Sequence, residues 1–175
     1  MLNNDRNKLR AITSGAMMAA LSIILERVLA LMPASNTMDI RISLSNIPII
    51  LAGILISPII GGIAGVVSDI VGCFIRGYPP FPILTFAPFV TGFLPGMIMR
   101  FYNHGVKYSF VKVASAIAVS HVFSSVLITT YGLCVMRGVD FIPMLITRLP
   151  SMGVNLVIDI TLVYLLLKTP ITKIR

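Results

Sequence analysis

Long apolar runs, one after another, constrain this chain more than any single motif in it. Residues 11–32, 42–68 (continuing to Arg76), 77–99, 113–136 and 149–167 are each close to or above the ~20 residues that carry a helix across a hydrocarbon core. Soluble domains have roughly a quarter of their residues charged; here 57% are hydrophobic and 11% charged. No polar stretch is left over for a soluble domain. The expected class is an all-α integral membrane protein.

The second run is too long for one crossing and contains "SPIIGG" (57–62), which is turn chemistry. Splitting it there gives expected spans of 11–32, 43–57, 60–76, 83–101, 113–136 and 149–168, in one domain over 1–175. Charge parity supports the split independently. Arg6, Lys8 and Arg10 precede the first run, Arg100, Lys107 and Lys112 fill the middle loop, and Lys168, Lys173 and Arg175 close the chain. Basic short loops stay cytoplasmic, and all three clusters can do so only with six transmembrane helices and both termini cytoplasmic. The net charge of +8 is therefore a topology signal and not a nucleic-acid patch. The basic residues left on or near the outer side are Arg27, Arg41, Arg76, Arg137 and Arg148, all arginine. The basic N-terminus lacks a convincing cleavage site after its apolar stretch, so the first span is expected to be retained.

Charges at membrane depth face a cavity or a partner. Gly62, Gly65, Asp69, Cys73 and Arg76 follow helical spacing on the third span, with Asp69 about 10 Å along the axis from Gly62. Arg148, Ser151 or Met152, Asn155 and Asp159 do the same on the last span. Two stripes with polar outer ends suggest one outward cavity, although Asp69 alone also suits an internal ion pair. Glu26 and Arg27, at the end of the first span, suit either a site or an interfacial snorkelling pair. "GYPPFP" (77–82) holds Tyr78 and Phe81 at low entropic cost, suited to stacking on a flat ring or to an interfacial belt. Thr85 follows on the same side.

Catalytic patterns are missing: there is no H-E-x-x-H, G-x-S-x-G, Walker loop or acidic metal cluster. His121 reads as a polar helix-packing residue, and Cys73 and Cys134 as small packing residues. Outer arginines match carboxylates in two-point fashion, so a small organic anion with an aromatic portion is the expected ligand. The excess of arginine and the absence of tryptophan argue against a cationic one such as thiamine.

The stretch "RISLSNIPIILAGILISPIIGGIAGVVSDIVG" (41–72), followed by "GYPPFPILTF" (77–86), resembles the substrate-binding S subunits of energy-coupling factor vitamin transporters, and most of all their folate-specific members. Ser43 is followed by Leu44 where those members carry an aromatic. The resemblance implies a non-catalytic subunit that captures folate from outside and docks on a transmembrane coupling subunit with two cytoplasmic ATPases. Another anionic or aromatic vitamin, or a small membrane enzyme, is the alternative. It implies a docking patch on the first helix, where Ala16 and Ala20 form the A-x-x-x-A pattern and Gly15 with Ala19 extends the small-residue seam. For folate, Asp69 or Asn155 would take the pterin ring, Tyr78, Phe81 and Thr85 would line it, and Arg27, Arg41, Arg76 or Arg148 would hold the glutamate tail. No cofactor, metal or nucleic acid is expected; lipid surrounds the body.

Overall fold

The computed structural model describes residues 2–30, 43–77, 79–102 and 109–169. All regular elements among them are helical: α1 (Leu2–Ala30), α2 (Asn46–Leu55), α3 (Pro58–Arg76), α4 (Pro82–Tyr102), α5 (Phe110–His121), a π-helical segment (Val122–Thr129), α6 (Thr130–Arg137) and α7 (Phe141–Lys168). Among the described residues, five stretches are long and apolar enough to cross a membrane: Asp5–Arg27, α3, α4, the continuous run Phe110–Arg137, and α7. Large apolar side chains such as Met17, Phe74, Phe101, Val111 and Ile142 are exposed on them, which is the expected surface where the surrounding solvent is hydrocarbon.

The break at "SPIIGG" exists. Ser57 is extended and Pro58 opens α3, a position where the missing N–H costs nothing. α3 ends at Gly77, with φ 74°, and α6 at Gly138, with φ 66°, the left-handed C-terminal position that glycine fills without strain. α7 starts at Phe141, so Arg148 and Pro150 lie inside the helix and not before it.

α2 departs from a full crossing. Its 10 residues rise about 15 Å, half of a ~30 Å core. Every residue from Ile47 to Gly53 is buried, with α1, α3, α4 and α7 around it. Glycines make this possible. A Cβ at Gly53 would sit on the Gly92 carbonyl, and one at Gly92 on the Gly61 carbonyl, so α2, α3 and α4 meet backbone to backbone. Ile47, Ile50, Leu51, Met99, Val113, Ile117, Val163 and Leu167 close the core between α2, α4, α5 and α7.

α4 runs unbroken through Pro88 and Pro95. Pro95 has no N–H for the Thr91 carbonyl one turn back; Ser120 Oγ supplies a donor to that carbonyl at 3.4 Å. The fifth expected span is not regular. Its middle is π-helical, and Thr129 and Thr130 donate to the carbonyls of Ser124 and Ser125, five residues back, at 2.8 and 2.9 Å.

Candidate functional site

Polar side chains gather in two places. The first is the C-terminal end of α1 and α3. Arg76 forms an ion pair with Glu26, and Gly72 leaves room for that carboxylate: a Cβ there would lie 3.3 Å from Glu26 Oε2. Glu26 thus pairs across helices and not with its neighbour Arg27. Consecutive residues point about 100° apart on a helix, which separates them. Arg27 Nη2 and Asp69 Oδ2 are buried and have no hydrogen-bond partner among the described residues. A buried donor or acceptor left unmade costs about 1–3 kcal/mol, more if charged.

The stripe expected on α3 is divided. Gly62 faces the Phe89 ring and Gly65 the Pro88 carbonyl, both on α4, whereas Arg76 meets α1. A seven-residue step falls about 20° short of whole turns, so the stripe swings from one neighbour toward the next along the helix.

The second gathering surrounds the start of α2. Ser43 N–H donates to Asn155 Oδ1 at 2.7 Å, and Ser43 Oγ lies 2.9 Å from Ser45 Oγ. Ser22 Oγ, on α1, donates to the Ser45 carbonyl at 2.7 Å. Asn46 Nδ2 donates to Asp159 Oδ2 at 3.3 Å, and His121 Nε2 lies 2.8 Å from the same oxygen. Asp159 is fully buried and His121 nearly so. Asn155 also donates to the Ser151 carbonyl at 2.8 Å. The expected role of His121 as a helix-packing polar residue has a specific partner, the Asp159 carboxylate.

Arg148 Nη1 donates to Thr130 Oγ1 on α6 at 3.4 Å. Phe81 immediately precedes α4 and Thr85 lies in its first turn, with Thr85 Oγ1 donating to the Phe81 carbonyl at 3.3 Å. Phe86, Phe89 and Phe93 stack along α4, with centroids 5.7 and 5.5 Å apart. A cleft of about 400 Å³ between α3 and α4 is lined by Val66, Ile70, Pro80, Pro82, Thr85, Phe86 and Phe89. Another, of about 630 Å³, lies on the opposite side of Phe86, toward Leu127, Tyr131 and Phe141. Both are apolar, and neither is lined by the charged groups above. Arg41 and Tyr78 lie outside the described residues.

On α1 the small-residue seam separates into two faces. Gly15 and Ala19 are buried, Gly15 against Ile60 of α3. Ala16 and Ala20 are exposed. Four residues make slightly more than one turn, which keeps each pair on one face and the two pairs about 100° apart.

Ser43, Ser45, Asn46 and the pairing of His121 with Asp159 belong to this polar cluster and are not found by span-by-span reading, which places Asp159 on a polar stripe but gives it no partner. A signal was present in "SLSN" at the mouth of an apolar run, and in an imidazole and a carboxylate each standing mid-span. No group of three or more His, Cys, Asp or Glu among the described residues could hold a metal.

Residues 6–172 match the profile of the family described as "ECF-type riboflavin transporter, S component". The chain is also similar to the folate transporter FolT of Clostridium novyi (strain NT), with 29% identity over 152 residues covering 85% of this chain and 83% of that protein. With the helices and polar clusters above, a match over nearly the whole length makes the chain a multi-pass transport protein of the cell membrane and not an enzyme: it belongs to the ECF-type riboflavin transporter S component family.

Proposed function

We propose that this chain is the vitamin-capturing S component of an ECF importer and that its vitamin is folate. The observation that carries the reading is the pair of buried groups on α1 and α3 that have no partner among the described residues, Arg27 Nη2 and Asp69 Oδ2. Folate presents the complement of both. Its glutamate tail has two carboxylates for a guanidinium, and its pterin ring has adjacent amino and N–H donors for a carboxylate. Likeness to a relative described as a folate transporter supports the same choice.

In this reading the chain is one six-span domain, counting residues 43–57 around α2 as the second crossing, with both termini cytoplasmic. The distribution of Lys and Arg supports that orientation. The C-terminal ends of α1 and α3 then face outward. Arg27 and Asp69 bind the ligand directly, and Asn155 shapes the floor from its bond to Ser43. Arg41, Arg76 and Arg148 form the charged rim, and Tyr78, Phe81 and Thr85 line the ring. Ala16 and Ala20 dock the transmembrane coupling subunit, itself joined to two cytoplasmic ATPases, with Gly15 and Ala19 seating the helix behind them. Lipid covers the remaining apolar surface, and no nucleic acid is engaged.

One observation favours a second reading, riboflavin: the description of the matching family. A neutral flavin would leave Arg27 without an anionic partner, which places it second.

Calorimetry on the detergent-purified chain separates the two. Folic acid is expected to saturate a single site, with Arg27→Ala and Asp69→Ala each weakening binding about tenfold to a hundredfold. Saturation by riboflavin with no heat from folic acid would replace folate by riboflavin. Silence with both would remove the vitamin-binding reading.

A further inference from the structure

The stretch Ser43–Asn46 is tied to α1 through Ser22, to α7 through Asn155 and Asp159, and, by way of Asp159, to His121 on α5. Asn155 and Asp159 are one turn apart on α7, so their two bonds grip both ends of the stretch from one helix face. Asp159 has no exposed surface, and Asp159 Oδ1 and His121 Nδ1 have no partner in the described structure. A buried polar pair with atoms left unsatisfied is a poor stabiliser, and well-packed apolar residues often do as well or better. What apolar residues cannot do is hold Asn46 by a directed bond.

We propose that His121 and Asp159 are positioning residues for ligand capture. Acting through Asn46, they fix the register of Ser43–Asn46 on α7, and with it the place of the Ser43–Asn155 contact in the floor of the site. The proposal rests on the vitamin-binding reading.

α2 carries no ionisable side chain; on the helices that hold the pair, Lys112 is nine residues from His121 and Lys168 nine residues from Asp159, each about 14 Å along the axis. Arg148, on α7 itself, is about 16 Å along the axis from Asp159 and is engaged with Thr130.

The test compares the full chain in detergent with the His121→Leu/Asp159→Leu double variant. The double variant is expected to unfold at a similar temperature, to exchange its amides over residues 43–47 about tenfold faster, and to bind folic acid about tenfold more weakly. Unchanged affinity for folic acid in a folded double variant would overturn the proposal. So would unchanged exchange at 43–47 in a folded double variant. If the wild type binds no vitamin, the functional reading fails, and exchange at 43–47, which needs no ligand, still decides the positioning role. If the double variant does not fold, Asn46→Ala cuts the link alone: the same faster exchange is expected, and unchanged exchange overturns the proposal.

Discussion

Helix α4 meets its neighbours by opposite means on its two sides. Toward α2 and α3 it offers Gly92 and Gly96, and the contact is backbone on backbone, with Gly53 and Gly61 as partners. Toward α5 and the π-helical segment it offers hydroxyl and carbonyl groups: Thr91 Oγ1 lies 2.8 Å from Ser124 Oγ, and the Thr91 carbonyl receives Ser120. At those glycines the nearest atoms are backbone, which cannot rotate away to absorb a change. The second side consists of rotatable groups and continues to α7 through His121 and Asp159. One wall of the bundle is thus set by steric fit, and the other by a polar arrangement that can be reset one bond at a time.

The polar wall should fail most severely where a charge is stranded. His121→Ala leaves the fully buried Asp159 without its closest partner, a loss of about 3–5 kcal/mol when one member of a buried pair is removed. Thermal unfolding in detergent should show it, and replacing both residues by leucine should recover most of the loss. If His121→Ala and the double variant are equally destabilised, stranded charge is not the cause. The glycine wall should fail next. Gly92→Ala places a methyl on the Gly61 carbonyl, and overpacking of this kind costs about 1–3 kcal/mol. The same substitution at Gly153, where a Cβ meets nothing within 4 Å, should be neutral or slightly stabilising. Equal responses at the two positions would show that close backbone approach does not hold α2, α3 and α4 together.

Which of these features can be read from the chain depends on their range. Membrane spans follow from apolar length, and the α2–α3 break follows from Ser57 and Pro58, so both are local and legible. The shortness of α2 is not: an apolar run ends where polar residues begin, and "SLSN" belongs to the helix entry although hydrophobicity continues around it. The π-helical segment is equally hidden, because Val122–Thr129 is an ordinary β-branched and hydroxyl-rich run. Only the i−5 bonds of Thr129 and Thr130 expose the extra residue in the turn. Partner choice is the least local of all. Glu26 beside Arg27 suggests a pair, but adjacent helix positions diverge, and the ion pair forms with Arg76. Likewise His121 and Asp159, which stand 38 positions apart, meet only once α5 and α7 are packed.

The smallest expected effect asks whether the polar side of α4 is a latch or only a convenience of packing. Thr91→Val keeps the volume and β-branching and removes the hydroxyl, leaving Ser124 Oγ without its Thr91 contact in a buried seam. A single neutral hydrogen bond contributes about 0.5–1.5 kcal/mol, and a stranded buried hydroxyl raises the cost toward the lower end of about 1–3 kcal/mol, so the loss should be measurable and no larger than that of Gly92→Ala. The double variant Thr91→Val/Ser124→Ala removes both polar groups together, and a seam that has only to be filled should then recover. If the π-helical geometry depends on that bond, the double variant will remain as destabilised as the single one. Hydrogen exchange will then rise specifically over 124–130, where the Thr129 and Thr130 side chains bridge the widened turn. Uniform exchange across α5 and α6 would assign the π segment to its own threonines and leave Thr91 as filling.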